Sequence, residues 1–341
     1  MLIGQRFVTS LAVVSVCTGM LSLILSLVCG PLLIRWLKSR FRERIASDSA
    51  KLNELHAAKQ NTPTMGGLLI SGTTIFSVLC FSDLSLPLVW LYGGTVLALT
   101  MLGAFDDWIK LRTQRKGLTA RQKLLVQAIV SIAAAVGIYL LHHEQGSAGT
   151  VLIPWTTRTL QLGVCWIPWA VFVIVGVSNA VNLTDGLDGL AAGSSAICSF
   201  ALVVICGSTL AGIDENNRAV AAVSCAALTG STLGFLWWNR HPARIFMGDA
   251  GSLPIGGLLA IAALTTGTEL LLAITGVVFV VETLSVILQV AWYRRTRRRI
   301  LLCSPLHNHF VFRGVAETKI VAWFWLAAFI FGMLGVSAAF W

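Results

Sequence analysis

Charge is what this chain has least of. Only 12% of its 341 residues are Asp, Glu, Lys or Arg, about half of the ~25% usual for a soluble domain. Apolar residues account for 56%. These figures exclude an ordinary soluble enzyme and indicate an integral membrane protein. No polar stretch is long enough for a separate soluble domain, so residues 1–341 read as one polytopic membrane domain. The first apolar run, Leu11–Trp36, is too long for the core of a cleaved signal and lacks a persuasive cleavage site. It reads as a retained span.

Other absences narrow the chemistry. There is no disulfide framework: seven of the eight cysteines lie inside apolar runs, and Cys303 sits in a basic loop. They read as small packing residues. There is no Walker A loop and no 12-residue acidic calcium loop. The net charge of +10 fits cytoplasmic loops lying against anionic lipid, and no nucleic-acid partner is expected.

What the chain does have is apolar runs near the ~20 residues needed to cross ~30 Å of hydrocarbon as helix. Ten are expected: Leu11–Trp36, Gly66–Phe81, Leu86–Phe105, Leu124–Leu141, Leu162–Ala180, Leu190–Ala211, Ala219–Trp238, Leu253–Leu264, Leu270–Trp292 and Ile320–Trp341. The second and eighth are short and rich in glycine. Loops 37–65, 106–123, 181–189, 239–252 and 293–319 then share one face and, with Arg35 at the margin of the first, carry 22 of the 25 basic residues. Arg6, Arg158 and Arg218 fall on the other face. The positive-inside rule makes the basic face cytoplasmic and puts both termini outside. The expected fold is therefore all-α, with about ten transmembrane helices and an active-site cleft on the cytoplasmic face.

The polar motifs collect on that same face. Asp106 and Asp107 end the third span, where charge is costly without partners. They read either as a solvated helix end beside Lys110 or as a site, one facing a metal or nucleophile and its neighbour a lysine. NLTDGLDG supplies Asn182, Asp185 and Asp188. Its Gly186 and Gly189 permit close backbone approach or a positive φ, although Asp188 is also read as a cap of the next span. Asp249 precedes a Gly-rich span, either as a cap or as a ligand holding Mg²⁺ against a phosphate. KQNTPTMGG brings Lys59 and Thr64 beside glycines, a set suited to phosphate. In PLHNHF, His307 and His309 have no nearby Cys or third ligand for zinc, which leaves hydrogen bonding or proton transfer. Glu282, deep in the ninth span, has no role assigned by the pattern.

In order, KQNTPTMGG, FDDWIK, NLTDGLDGL, WWNRHPARIFMGD and PLHNHF closely resemble the phospho-N-acetylmuramoyl-pentapeptide-transferase family. That family lies within the polyprenyl-phosphate N-acetylhexosamine-1-phosphate transferases. The resemblance runs from about Lys59 to the last span. It implies a multi-pass enzyme of the bacterial plasma membrane, often a homodimer, that uses Mg²⁺. The reaction implied is transfer of phospho-MurNAc-pentapeptide from UDP-MurNAc-pentapeptide to undecaprenyl phosphate, giving lipid I and UMP.

By motif match, Asp249 is the expected Mg²⁺ ligand, Asp106 and Asp107 are catalytic with Asp106 the favoured base, and His307 is the catalytic-loop histidine. Lys59, Thr64, Lys123, Asn182, Asp185, Asp188, Asn239, Phe246 and His309 are expected to line the substrate region. The sequence departs from the family at Asn308, where a histidine is usual, and in FVFRGVAETK after it. Asn cannot take up a proton near neutral pH, so His307 or His309 has to suffice. A sibling transferase moving GlcNAc-1-phosphate is the nearer alternative. A secondary transporter is the farther one, disfavoured because the acids gather at one face rather than at the midplane.

Overall fold

The structure is a computed structural model describing residues 2–40, 62–113, 117–156, 158–208 and 213–340. The helices, in chain order, are α1 (Leu2–Arg40), α2 (Gly67–Phe81), α3 (Pro87–Arg112), α4 (Ala120–Glu144), α5 (Trp166–Thr184), α6 (Leu190–Gly207), α7 (Glu215–Asn239), α8 (Asp249–Thr265), α9 (Glu269–Thr275), α10 (Val277–Thr296), α11 (Leu306–Phe312) and α12 (Glu317–Ala339). Eight of them are long and apolar enough to cross a membrane. The shorter apolar helices α2 and α8 occupy the positions of the second and eighth expected spans.

α8 is the axis of the molecule. All 17 of its residues are buried, as suits a helix that is apolar all round. α3 and α5 run along it, with α2 and α7 closing the remaining sides. Gly103 of α3 lets this happen: a Cβ there would run into the backbone of Asp249 and Ala250. Small hydroxyl residues tie the buried faces together, as in Ser26–Thr73 at 3.0 Å, Thr74–Ser231 at 2.8 Å and Thr100–Ser71 at 2.8 Å. Such bonds join helices where lipid tails remove the usual hydrophobic drive. The outer helices show the reverse pattern. Val13, Val16, Met20, Ile24, Val28 and Leu32 project from α1, and Trp323, Leu326, Ile330 and Met333 from α12. These apolar stripes face where acyl chains would lie.

Three local departures from the expected spans have physical causes. The third helix does not stop at Phe105 but continues to Arg112, because Lys110 lies one turn beyond Asp106 and Asp107 and pairs with both. The aspartate pair is therefore helical rather than in a loop. The expected span Leu270–Trp292 is broken at Gly276 into α9 and α10, glycine being a poor helix former. The connection after α4 also holds a short antiparallel hairpin, β1 (Thr150–Leu152) with β2 (Thr159–Gln161), Val151 opposite Leu160.

Candidate active site

Three helix ends converge. α3 contributes Asp106, Asp107 and Lys110 from its last turns, and α8 contributes Asp249 as its first residue. α4 begins with a capping box in which Thr119 Oγ1 accepts from Gln122 N and Gln122 Oε1 accepts from Thr119 N. That cap sets the first turn from which Lys123 reaches inward. Lys110 Nζ lies 2.7 Å from Asp106 Oδ2, 3.3 Å from Asp107 Oδ1 and 3.1 Å from Asp249 Oδ2. Lys123 Nζ meets Asp249 Oδ2 at 2.7 Å. Burial alone would raise the Asp249 carboxyl, but Lys110 and Lys123 outweigh it and hold the group well below the usual carboxylate range.

The remaining lone pairs are also used. Asp106 Oδ1 accepts from Leu118 N at 2.6 Å. Asp107 Oδ2 accepts from Ala250 N at 3.1 Å, so it satisfies an N-terminal donor of α8 from across the interface. Asn182 Nδ2 donates to Asp249 Oδ1 at 2.7 Å and to Ser252 Oγ at 2.8 Å. Asp106, Asp107 and Asp249 each offer an oxygen within 4.8 Å of the others. Three hard oxygen donors around one point suit Mg²⁺. The Lys110 ammonium, in contact with all three, marks that point as a place for a compact cation. The residues present therefore fit the ion implied by the resemblance.

A second cluster sits on the 182–189 turn. Asp188 Oδ2 accepts from Ala243 N at 3.1 Å and lies 3.0 Å from His241 Nδ1. Asp188 N donates to Glu317 Oε1 at 2.7 Å. The capping role for Asp188 is not what the structure shows: Gly189, at φ 81°, holds the N-cap position of α6. Asp185 caps the C-terminal end of α5. Asn239 joins the loops through their backbones, accepting from Gly189 N and donating to Ile245 O. Asp249, for its part, is the first helical residue of α8 rather than its cap, which is Gly248.

The other expected site residues are distributed as follows. Thr64 is buried beside Gly248, where an added Cβ would meet its hydroxyl. Phe246 pairs by its backbone with Pro63 and Gly66, which docks the 62–66 segment. His309 Nδ1 accepts from Leu302 N at 3.1 Å and so closes its own loop. His307 is buried against Glu282 and Gly186. Lys59 lies outside the described residues. Lys110, Ser252, His241 and Glu317 were not singled out from sequence as site residues. Lys110 alone left a signal, the i+3 and i+4 spacing from the aspartate pair.

Buried carboxylates and two partly exposed lysines thus meet at the ends of helices in a polar centre that could hold a metal ion. Residues 89–267 match the sequence model of glycosyl transferase family 4, and residues 59–70 match signature 1 of phospho-N-acetylmuramoyl-pentapeptide-transferase. Proteins of that last name are similar over most of the chain. The one from Granulibacter bethesdensis is 43% identical, covering 93% of this chain and 90% of that protein. Those from Rickettsia rickettsii and Oleidesulfovibrio alaskensis are 41% and 40% identical, covering 93% and 97% of this chain and 90% and 93% of those proteins. The chain belongs to the phospho-N-acetylmuramoyl-pentapeptide-transferase family.

Proposed function

We propose that the protein transfers phospho-MurNAc-pentapeptide from UDP-MurNAc-pentapeptide to undecaprenyl phosphate, forming lipid I and releasing UMP. The observation that carries this reading is the meeting of Asp106, Asp107 and Asp249 with Lys110 and Lys123 at the helix ends. An oxygen of the lipid phosphate attacks the sugar-linked phosphorus. The P–O bond to UMP breaks, and UMP leaves with that bond's electron pair. Two anions have to meet, so charge neutralisation dominates the barrier.

In this reading Lys123 and Lys110 lie against the developing charge of the diphosphate. Asp106 positions or deprotonates the lipid phosphate, and Asp107 keeps the start of α8 in place. Asn182 orients Asp249. Asp249, with Asp106 and Asp107, would hold Mg²⁺, which would supply electrostatic stabilisation of the charge building on the leaving UMP phosphate. Thr64, Asp185, Asp188, Asn239, Phe246, His307 and His309 belong to the nucleotide-sugar side, and Lys59 is assigned there by its motif.

The same reading places the enzyme in the bacterial inner membrane as a homodimer, with ten traverses and both termini outside. The basic last turns of α1, α3 and α10 (Lys38 and Arg40, Lys110 and Arg112, Arg294 and Arg295) support a cytoplasmic cleft. The test is UMP release by purified protein given undecaprenyl phosphate and Mg²⁺ with either UDP-MurNAc-pentapeptide or UDP-GlcNAc. Turnover is expected with the first alone. Turnover only with UDP-GlcNAc assigns the sibling activity, and none with either refutes the transferase reading.

A further inference from the structure

Glu282 lies within α10 and is fully buried, and both polar contacts of its carboxylate are with His307. Oε1 accepts from His307 N at 3.1 Å. Oε2 lies 3.2 Å from Nδ1 without forming a hydrogen bond to it, so the backbone bond is the firm tie and the ring contact the looser one. A carboxylate inside a membrane helix is costly without such a partner. On its other side the imidazole edge abuts the 182–189 turn: a Cβ on Gly186 would collide with Nε2. His307 is only 1% exposed, so its ring lies beneath the turn rather than open to the cleft.

We propose that Glu282 and His307 form a buried brace that sets the 182–189 turn, and that His307 serves as a positioning residue acting through Gly186. Glu282 anchors α11 through its backbone and turns Nδ1 toward α10, leaving the Nε2 edge as the surface on which Gly186 rests. The opposite side of the turn is held through Asp188 by His241, Ala243 and Glu317. Asn182, at the start of the turn, reaches Asp249. The brace thereby reaches the carboxylate centre without touching it. Its ligand consequence rests on the reading that this turn binds the nucleotide-sugar.

The test combines equilibrium binding of UDP-MurNAc-pentapeptide with amide hydrogen exchange of the substrate-free protein. Glu282→Gln is expected to weaken binding roughly 10-fold, the scale of one lost hydrogen bond to a charged group, and to speed exchange within residues 182–189 and 306–312. In a His307→Ala background, Glu282→Gln should add almost nothing, because the two residues act as one unit. Unchanged binding and exchange, or a loss that adds in full to that of His307→Ala, overturns the brace. Should Glu282→Gln not fold, Glu282→Asp, which retracts the carboxylate by one methylene, is held to the same outcomes. Wild-type protein that binds no UDP-MurNAc-pentapeptide instead strikes the functional reading, while the exchange result still decides the brace.

Discussion

Asn182 Nδ2 donates to Asp249 Oδ1 at 2.7 Å, joining the last turn of α5 to the first residue of α8. Two motifs 67 residues apart thus share one bond. Asp106, Asp107 and Asp249 form a single centre, while Asp188 anchors a second with His241 and Glu317.

That bond predicts a strong response to a near-isosteric change. Asn182→Asp replaces the donor with a second carboxylate against Asp249. UMP release should fall by roughly 10²-fold or more, the scale for losing one preorganised donor, while Asn182→Ala should fall less. Equal activity in Asn182→Asp and wild type would remove Asn182 from the site.

Lys110 touches three carboxylates through one atom. Lys110→Met leaves them facing one another, and turnover should drop on the order of 10²-fold. Lys110→Arg should not restore it, because a planar fork cannot replace a compact ammonium at a shared focus. Steady-state assays of both variants decide this, and an active Lys110→Arg contradicts it.

Asp249→Asn is expected to abolish nearly all turnover, and raising Mg²⁺ should not restore it. Chelation of divalent ions should silence the wild type reversibly. An Asp249→Asn variant that keeps its activity at ordinary Mg²⁺ would falsify the three-carboxylate assignment.

Direct attack by the lipid phosphate is expected, rather than an aspartyl-phosphate intermediate on Asp106 or Asp107. Enzyme with UDP-MurNAc-pentapeptide but no lipid acceptor should not exchange labelled UMP. Exchange, or a trapped phospho-sugar adduct, would establish the covalent route.

Gly103→Ala should cost about 1–3 kcal/mol in stability, the range for overpacking a filled interface, and should lower activity by displacing Asp249. Thermal unfolding in detergent checks the first part and UMP release the second. A Gly103→Ala variant as stable as wild type means α3 and α8 can separate without loss.

Much of the architecture was legible because the bilayer enforces it. A helix crossing hydrocarbon has to be long and apolar, so α1, α3, α4, α5, α6, α7, α10 and α12 all announce themselves in the sequence. α2 and α8 do so more weakly, being short and glycine-rich, and those same glycines let α8 sit at the centre. The break at Gly276 and the β1–β2 hairpin left little trace, since a single glycine or a few β-formers in a connection do not change a hydropathy pattern. Asp249 and Lys123 were each expected at the site, although only Asp249 lies in one of the five motifs; that they pair was visible only in the fold. His241 and Glu317 were not, because their role depends on Asp188 arriving from another loop.

Sequence alone determined the membrane class, the clustering of polar motifs on one face and, through five ordered motifs, the family. Those follow from composition and from residue order, which solvent and chemistry constrain directly. Tertiary structure decided that Lys110 is the focus of three carboxylates, that Asp107 supports α8, and that Glu282 has His307 for its partner. Asp249 reaching Lys110, Ala250 N reaching Asp107 and His307 N reaching Glu282 are contacts between different helices, set by how closely glycine faces pack and by the need of a buried carboxylate for a donor.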